Sequence, residues 1–228
     1  MQSNENTTLS PTLTFHHADA LAWLKNLPGP MIGTSIITSL PDISEFGEMN
    51  LEQWKSWFMS SAELVLSKCA PDGICIFYQS DIKRDGVWVD KSYLCQKAAE
   101  QTGDVLIAHK IICRSPPGNA SFGRVGYSHL LCFSKTIRPT IADSVADVLP
   151  DAGQTTWARG MGLEACEMAC RFIKTHSESP TILDPFCGHG AVLRIANKLG
   201  LNAIGVDRSL KYLKKAQAMH DDGQLSDG

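Results

Sequence analysis

The spacing of apolar positions along the chain alternates between two periods. Seven short runs are apolar or β-branched and mostly bounded by turn residues, and each predicts a strand: Leu13–His17, Thr34–Thr38, Gly73–Gln79, Asp104–Cys113, Tyr127–Ser134, Thr181–Asp184 and Asn202–Val206. Between most of them the period lengthens to that of a helix. The clearest helical stretches are Leu51–Cys69, Asp90–Thr102, Gly162–Lys174, Ala191–Leu199 and Leu210–His220, with a shorter one over Ala18–Leu27. Strands alternating with helices predict an α/β fold with a doubly wound, mostly parallel sheet. One connection breaks the alternation. Arg114–Gly126 is rich in Pro and Gly and holds no helical pattern, so the strands on either side of it pair as an antiparallel hairpin, giving seven strands with one antiparallel member. The elements make one domain over 13–220, in two halves, 13–135 and 157–220, joined by the polar, small-residue linker Thr136–Thr156. The polar ends, 1–12 and 221–228, are expected to be flexible.

The richest local pattern is Ile182-Leu183-Asp184-Pro185-Phe186-Cys187-Gly188-His189-Gly190, followed by Gly205-Val206-Asp207. It reads as strand, glycine turn, helix and a second strand ending in a carboxylate. Gly188 and Gly190 allow close backbone approach at the helix start, and Asp207, nineteen residues after Gly188, is placed to accept hydrogen bonds from ribose hydroxyls. A dinucleotide is disfavoured. Its pyrophosphate belongs on the helix N-terminus, where Asp184 would repel it, and Leu193 occupies the place of the third fingerprint glycine. The turn suits a cationic nucleoside instead. S-adenosyl-L-methionine offers an ammonium and a sulfonium to Asp184, a carboxylate to the helix N-terminus and a ribose to Asp207.

Composition and charge add three constraints. No run reaches the roughly 20 apolar residues of a membrane span, so a cytoplasmic protein without membrane contact is expected. Eight cysteines sit in apolar segments without a Cys-x-x-Cys pair, which predicts buried thiols and no metal centre. The net charge of −3 conceals a basic middle: residues 83–138 carry 9 Lys+Arg against 4 Asp+Glu, whereas 1–82 carry 3 against 9. Such a surface suits a polyanion or is simply a solvated face.

Asp184-Pro185-Phe186-Cys187-Gly188-His189-Gly190 resembles the cofactor loop of class I methyltransferases, and its position near the C-terminus resembles the permuted, β-class amino-methyltransferases that modify nucleobases. In that order the catalytic loop lies upstream. Phe15-His16-His17-Ala18-Asp19 through Ile36-Ile37-Thr38-Ser39-Leu40-Pro41-Asp42 resembles the opening of that class, in which a strand ends in a Ser/Asp/Asn-Pro-Pro-aromatic loop. The resemblance spans about 13–220 and implies catalytic roles for Ser39, Leu40, Pro41 and Asp42. Ser39 and the Leu40 carbonyl would accept hydrogen bonds from an exocyclic amine, Pro41 would keep Leu40 extended, and Asp42 would take a proton. It also implies cofactor contacts at Asp19, Asp184, Phe186, Gly188, Gly190 and Asp207, and, in Trp157-Ala158-Arg159-Gly160-Met161-Gly162, at Arg159, Gly160 and Gly162. The loop departs from the pattern by Leu40 for the first proline and Asp42 for the stacking aromatic. A flipped base then needs another platform, for which Phe46, Trp54, Tyr78 and Trp88 are the candidates.

Ser115-Pro116-Pro117-Gly118 looks closer to the family loop, but it lies in the hairpin connection, so Arg114–Gly126 reads as a substrate-facing loop with Arg114 and Arg124 on phosphates. The core takes up nearly all of the chain and leaves no separate recognition domain, which favours RNA, tRNA or rRNA above all, over DNA. DNA is the alternative substrate. A noncatalytic subunit of this fold scaffolding a partner is a second reading, and a protein partner or a homodimer stays open.

Overall fold

The computed structural model describes residues 10–84, 86–120 and 124–221. The expected flexible ends fall largely outside the described residues, but order already begins at Thr12, whose backbone N and Oγ1 both donate to Asn202 Oδ1 at 2.8 and 3.0 Å.

The strands are β1 (Leu13–His17), β2 (Thr34–Thr38), β3 (Cys75–Gln79), β4 (Ile82–Arg84), β5 (Val87–Val89), β6 (Val105–Cys113), β7 (Tyr127–Ser134), β8 (Val148–Leu149), β9 (Thr181–Asp184) and β10 (Asn202–Asp207). The helices are α1 (Ala20–Asn26), α2 (Leu51–Lys68), α3 (Lys91–Thr102), α4 (Leu163–His176), α5 (Ala191–Lys198) and α6 (Leu210–Asp221). Eight strands form one sheet in the order β1-β10-β9-β2-β3-β7-β6-β8. Within the described sheet, β7 runs against its neighbours β3 and β6, as the missing crossover predicts.

Local chemistry explains the boundaries. β2 and β3 are buried at every position, the pattern of strands covered on both faces. Helix α2 opens with a reciprocal capping box between Asn50 and Gln53, and α3 opens on an Asp90 cap and closes on Gly103 at φ 73°. Helices α1, α2 and α3 bury Leu24, Trp54, Phe58 and Leu94 against one face. Helices α4 and α5, with Leu213 of α6, bury Ala169, Ile173, Leu193 and Ile195 against the other.

Two strand pairings are additions to the predicted set. The supposed linker supplies β8, which extends the sheet parallel to β6 and is pinned by Lys110 Nζ bonds to Val145 O and Asp147 Oδ1. β4 and β5 form a separate two-stranded hairpin. Two- and three-residue strands carry too few positions to establish a period.

From β2 the chain steps through α2 to β3 in one direction across the sheet, and from β9 through α5 to β10 in the other. β2 and β9 are neighbours, so a topological switch point, where ligands of such sheets bind, opens beyond their carboxyl ends.

Candidate functional site

Asp184 ends β9 at this switch point and is buried. Its Oδ1 accepts from Thr38 Oγ1 at 2.8 Å and from Phe186 N at 3.1 Å, tying the tip of β2 to the glycine turn. Burial pushes its carboxyl up to about 7, against the pull of those two bonds and with help from the nearby Asp207 charge. The turn needs glycine at two positions, Gly188 at φ 52° and Gly190 at φ 73°. Asp207, at the end of β10, accepts Gly188 N at 3.0 Å through one oxygen and Ser209 N at 2.7 Å through the other. A cleft of about 520 Å³ lies over these groups.

Ten of the predicted residues meet around it: Asp19, Ser39, Leu40, Pro41, Arg159, Gly160, Asp184, Phe186, Gly188 and Asp207. Asp19 also caps α1, one oxygen accepting Ala22 N at 2.9 Å, while the residue still lines the cleft. Gly162 and Gly190 do not line the cleft. A Cβ on Gly162 would sit 2.0 Å from Ala152 O, and one on Gly190 would sit 2.9 Å from Ala216 Cβ, so both glycines serve packing.

Sequence reasoning missed the aromatic wall. Trp157, His189 and Tyr212 pack ring on ring, with centroids 5.1–5.4 Å apart, and all three line the cleft. Burial holds the His189 imidazole below its usual range, and its Nε2 is buried with no hydrogen-bond partner among the described residues. Arg159, half exposed, reaches Glu45 Oε2 at 3.8 Å and links the segment before α4 to the loop after β2.

A second pocket of about 310 Å³ shares Ser39, Leu40, Glu45, Arg159 and Gly160 with the first. Asp42, Arg114 and Arg124 line this one. Ser39 is exposed and Leu40 buried. The Pro41 carbonyl accepts Trp54 Nε1 at 3.4 Å. Asp42 caps the short turn Ile43–Glu45, accepting Ser44 N at 3.0 Å, and pairs with Lys91 Nζ at 2.8 Å. Its burial raises the carboxyl, but the Lys91 ammonium and the Ser44 bonds outweigh this and hold it below the ordinary range. Of the four proposed platforms, Trp54 is fully buried and unable to stack on a ligand, Tyr78 lines the second pocket, Phe46 lines the first beside Trp57, and Trp88 stands on β5.

The β3 end supplies a further network. Asp81 accepts Lys91 N at 2.9 Å and His129 Nε2 at 3.1 Å on one oxygen and Trp88 Nε1 at 2.9 Å on the other, and His129 Nδ1 lies 3.0 Å from His109 Nε2. Arg114 Nη1 donates to Ser80 Oγ at 3.2 Å. All eight cysteines are buried free thiols.

A family model described as DNA methylase, that of N6/N4 methyltransferases, matches residues 166–218. No curated protein matches the chain. A protein from Thermus thermophilus, assigned as a DNA modification methylase and complexed with S-adenosyl-L-methionine, superimposes with a TM-score of 0.72 at 18% identity, over 94% of this chain and 96% of that one. The PvuII cytosine-N4-specific DNA methyltransferase superimposes with a TM-score of 0.72 at 15% identity, over 95% and 89%. At these identities the likeness is one of architecture: the chain has the class I methyltransferase fold, an α/β, doubly wound, mostly parallel sheet. Both neighbours are described as DNA enzymes, so the preference for RNA gains nothing from them. No described helix is long and apolar enough to cross a membrane.

Proposed function

We propose that the protein transfers the methyl group of S-adenosyl-L-methionine to an exocyclic amine of a base in DNA. The observation that carries this reading is the pair of joined pockets. A buried carboxylate and a strand-end carboxylate flank a glycine turn at the switch point, and the cleft over them opens, past Ser39 and Leu40, into a pocket rimmed by Arg114 and Arg124. The residues fit the cofactor. Among the described residues Asp184 is bonded through neutral donors, a hydroxyl and an amide, and its carboxyl stands near 7 for want of solvation, so a cationic ligand is the partner it lacks. Asp207 stands nineteen residues after Gly188, where ribose hydroxyls are expected, and the Trp157 and Tyr212 rings with unpartnered His189 Nε2 offer a wall for a heteroaromatic base.

The bound cofactor supplies a methyl group already activated on a sulfonium. The protein then has to position an amine, whose one displaced proton passes to solvent at the open pocket. Ser39 Oγ, exposed where the pockets meet, and the Leu40 carbonyl accept the amine's hydrogens and aim its lone pair toward the first cleft. Asp42, capped and paired with Lys91, fixes that loop; a carboxylate held below its ordinary range is poorly suited to collect the proton. The DNA reading draws support from the family model on residues 166–218 and from the described activities of the structural neighbours.

Incubation with radiolabelled S-adenosyl-L-methionine and separated DNA, tRNA and rRNA from a strain lacking the protein, followed by nucleoside mass spectrometry, tests substrate and product together. Labelled N4-methylcytosine or N6-methyladenine in DNA is the expected result. Label confined to RNA would move the substrate, and calorimetric cofactor binding without incorporation anywhere would assign a noncatalytic subunit.

A further inference from the structure

The hairpin β4–β5 is the part of the molecule that the core does not explain. It lies outside the main sheet, and β5 buries only Val89, while Val87 and Trp88 are 56% and 48% exposed. Trp is seldom fully buried, so exposure alone says little. This one is pinned. Trp88 Nε1 donates at 2.9 Å to Asp81, a buried carboxylate whose other oxygen is bonded to Lys91 N at the start of α3 and to His129 Nε2. The geometry therefore commits a buried anion to holding an exposed aromatic ring in one orientation.

One cation stands over the ring and ties it to the second pocket, which Trp88 itself does not line. Lys83 Nζ lies 4.7 Å from the Trp88 ring centroid, and Ile82 and Lys83 line that pocket, so the hairpin forms one lip. Arg114 and Arg124 line it as well, from the β6–β7 connection. A polyanion crossing the pocket would meet positive charge from two separate elements, Lys83 on β4 and the two arginines on the connection, with Arg84 next along β4; the carboxylates in the lining, Asp42, Glu45 and Asp81, are already engaged by Lys91, Arg159, Trp88 and His129. An acidic backbone carrying stackable bases is the chemistry that matches both the charge and the fixed indole.

We infer that the paired strands β4 and β5 are a nucleic-acid grip beside the reacting base, with Trp88 stacking on an opened or unpaired base and Lys83 and Arg84 contacting phosphates. The inference rests on the nucleic-acid reading above and adds the element that holds the strand.

The test measures fluorescence anisotropy of labelled mixed-sequence DNA, duplex and single-stranded, and of a labelled RNA stem-loop, across a salt series, with calorimetric S-adenosyl-L-methionine affinity alongside. Trp88→Ala should weaken binding of the preferred probe by roughly 5- to 160-fold, the range of one base stack. Trp88→Phe, which keeps a ring but loses the bond to Asp81, should weaken it less. Lys83→Gln with Arg84→Gln should flatten the slope of log affinity against log salt by about 1.8 on duplex DNA and about 1.4 on single strands. Cofactor affinity should stay parental in all three. Parental nucleic-acid affinity and salt slope in both Trp88→Ala and the double variant, in a protein that binds and methylates nucleic acid, would overturn the grip and leave the methyltransferase reading standing. A parent that binds cofactor but none of the probes would overturn both.

Discussion

Asp184 carries the sharpest chemistry in the molecule, because its carboxyl titrates near 7 as a result of burial. A folded-state value raised above the ordinary 3.8 means that the folded protein holds this proton more tightly than the unfolded chain does. That stability is fully present below about pH 4 and is lost as pH rises to about 7, at most on the order of 4 kcal/mol. Asp184→Asn, which keeps an acceptor for Thr38 and Phe186, should therefore raise the ligand-free melting temperature at pH 8 and leave it nearly unchanged at pH 4. The same variant should lose cofactor affinity, while the parent binds more tightly as pH rises from 5 to 8 and then levels off; calorimetry and thermal melts at matched pH decide both. Asp42 makes the opposite case. Its partner Lys91 is 4% exposed, so Asp42→Ala strands a buried ammonium and should cost roughly 2–3 kcal/mol, less than for a fully buried pair because Asp42 itself is 35% exposed. Lys91→Met added to Asp42→Ala should recover most of that in urea unfolding; no recovery would mean that the cap at Ser44, and not the ion pair, carries the cost. Asp184 and Asp207 were legible because a strand-turn-helix spacing fixes them in one short segment. The Thr38 and Lys91 partners were not, since each comes from a distant part of the chain; Tyr212, only five residues past Asp207, was not because nothing in the helical period of α6 says which of its side chains turns toward the cleft.

Among the elements, the glycine turn before α5 shows how a local rule can be right for a different reason. The sequence pattern expects Gly190 to make room for a ligand, and it does take a positive φ, but the atom that a Cβ would meet is Ala216 Cβ of α6 at 2.9 Å, and Gly190 does not line the cleft. Gly190→Ala should thus act on stability first, by about 1–2 kcal/mol for the left-handed backbone and more if α6 cannot shift. Ala216→Gly relieves the contact but costs about 1 kcal/mol of helix propensity by itself, so a double-mutant cycle with both single variants is needed; additive losses in urea unfolding would show that crowding contributes nothing. Long elements were readable from period and caps, to within two residues at each end. The hairpin β4–β5 and the edge strand β8 were not, because strands of two or three residues show no period, and β8 is held besides by a distant anchor, Lys110.

At the scale of the whole molecule, the switch point is formed by strands from the two halves of the chain, β2 from the first and β9 from the second, running side by side with Thr38 bonded to Asp184. The order of motifs and the single antiparallel strand were legible, since both follow from the sequence of elements and the length of one connection. The side-by-side placement of the two pockets was not, because it depends on β2 and β9 becoming neighbours across more than half of the chain. A ligand in the first cleft touches both halves and should stabilise them together. At a hundred times its dissociation constant S-adenosyl-L-methionine should add about 2.7 kcal/mol, seen as a rise of one cooperative melting transition and not of a subset of the protein. The second pocket should be energetically separate from that effect. Arg114→Ala with Arg124→Ala removes two cations from its rim, so the slope of log nucleic-acid affinity against log salt should flatten by about 1.8 while the cofactor-induced rise in melting temperature stays parental. A parental salt slope in this double variant would place the phosphates elsewhere on the basic middle of the chain. A lost cofactor shift would instead mean that the β6–β7 connection supports the first cleft, and that the two pockets work as one.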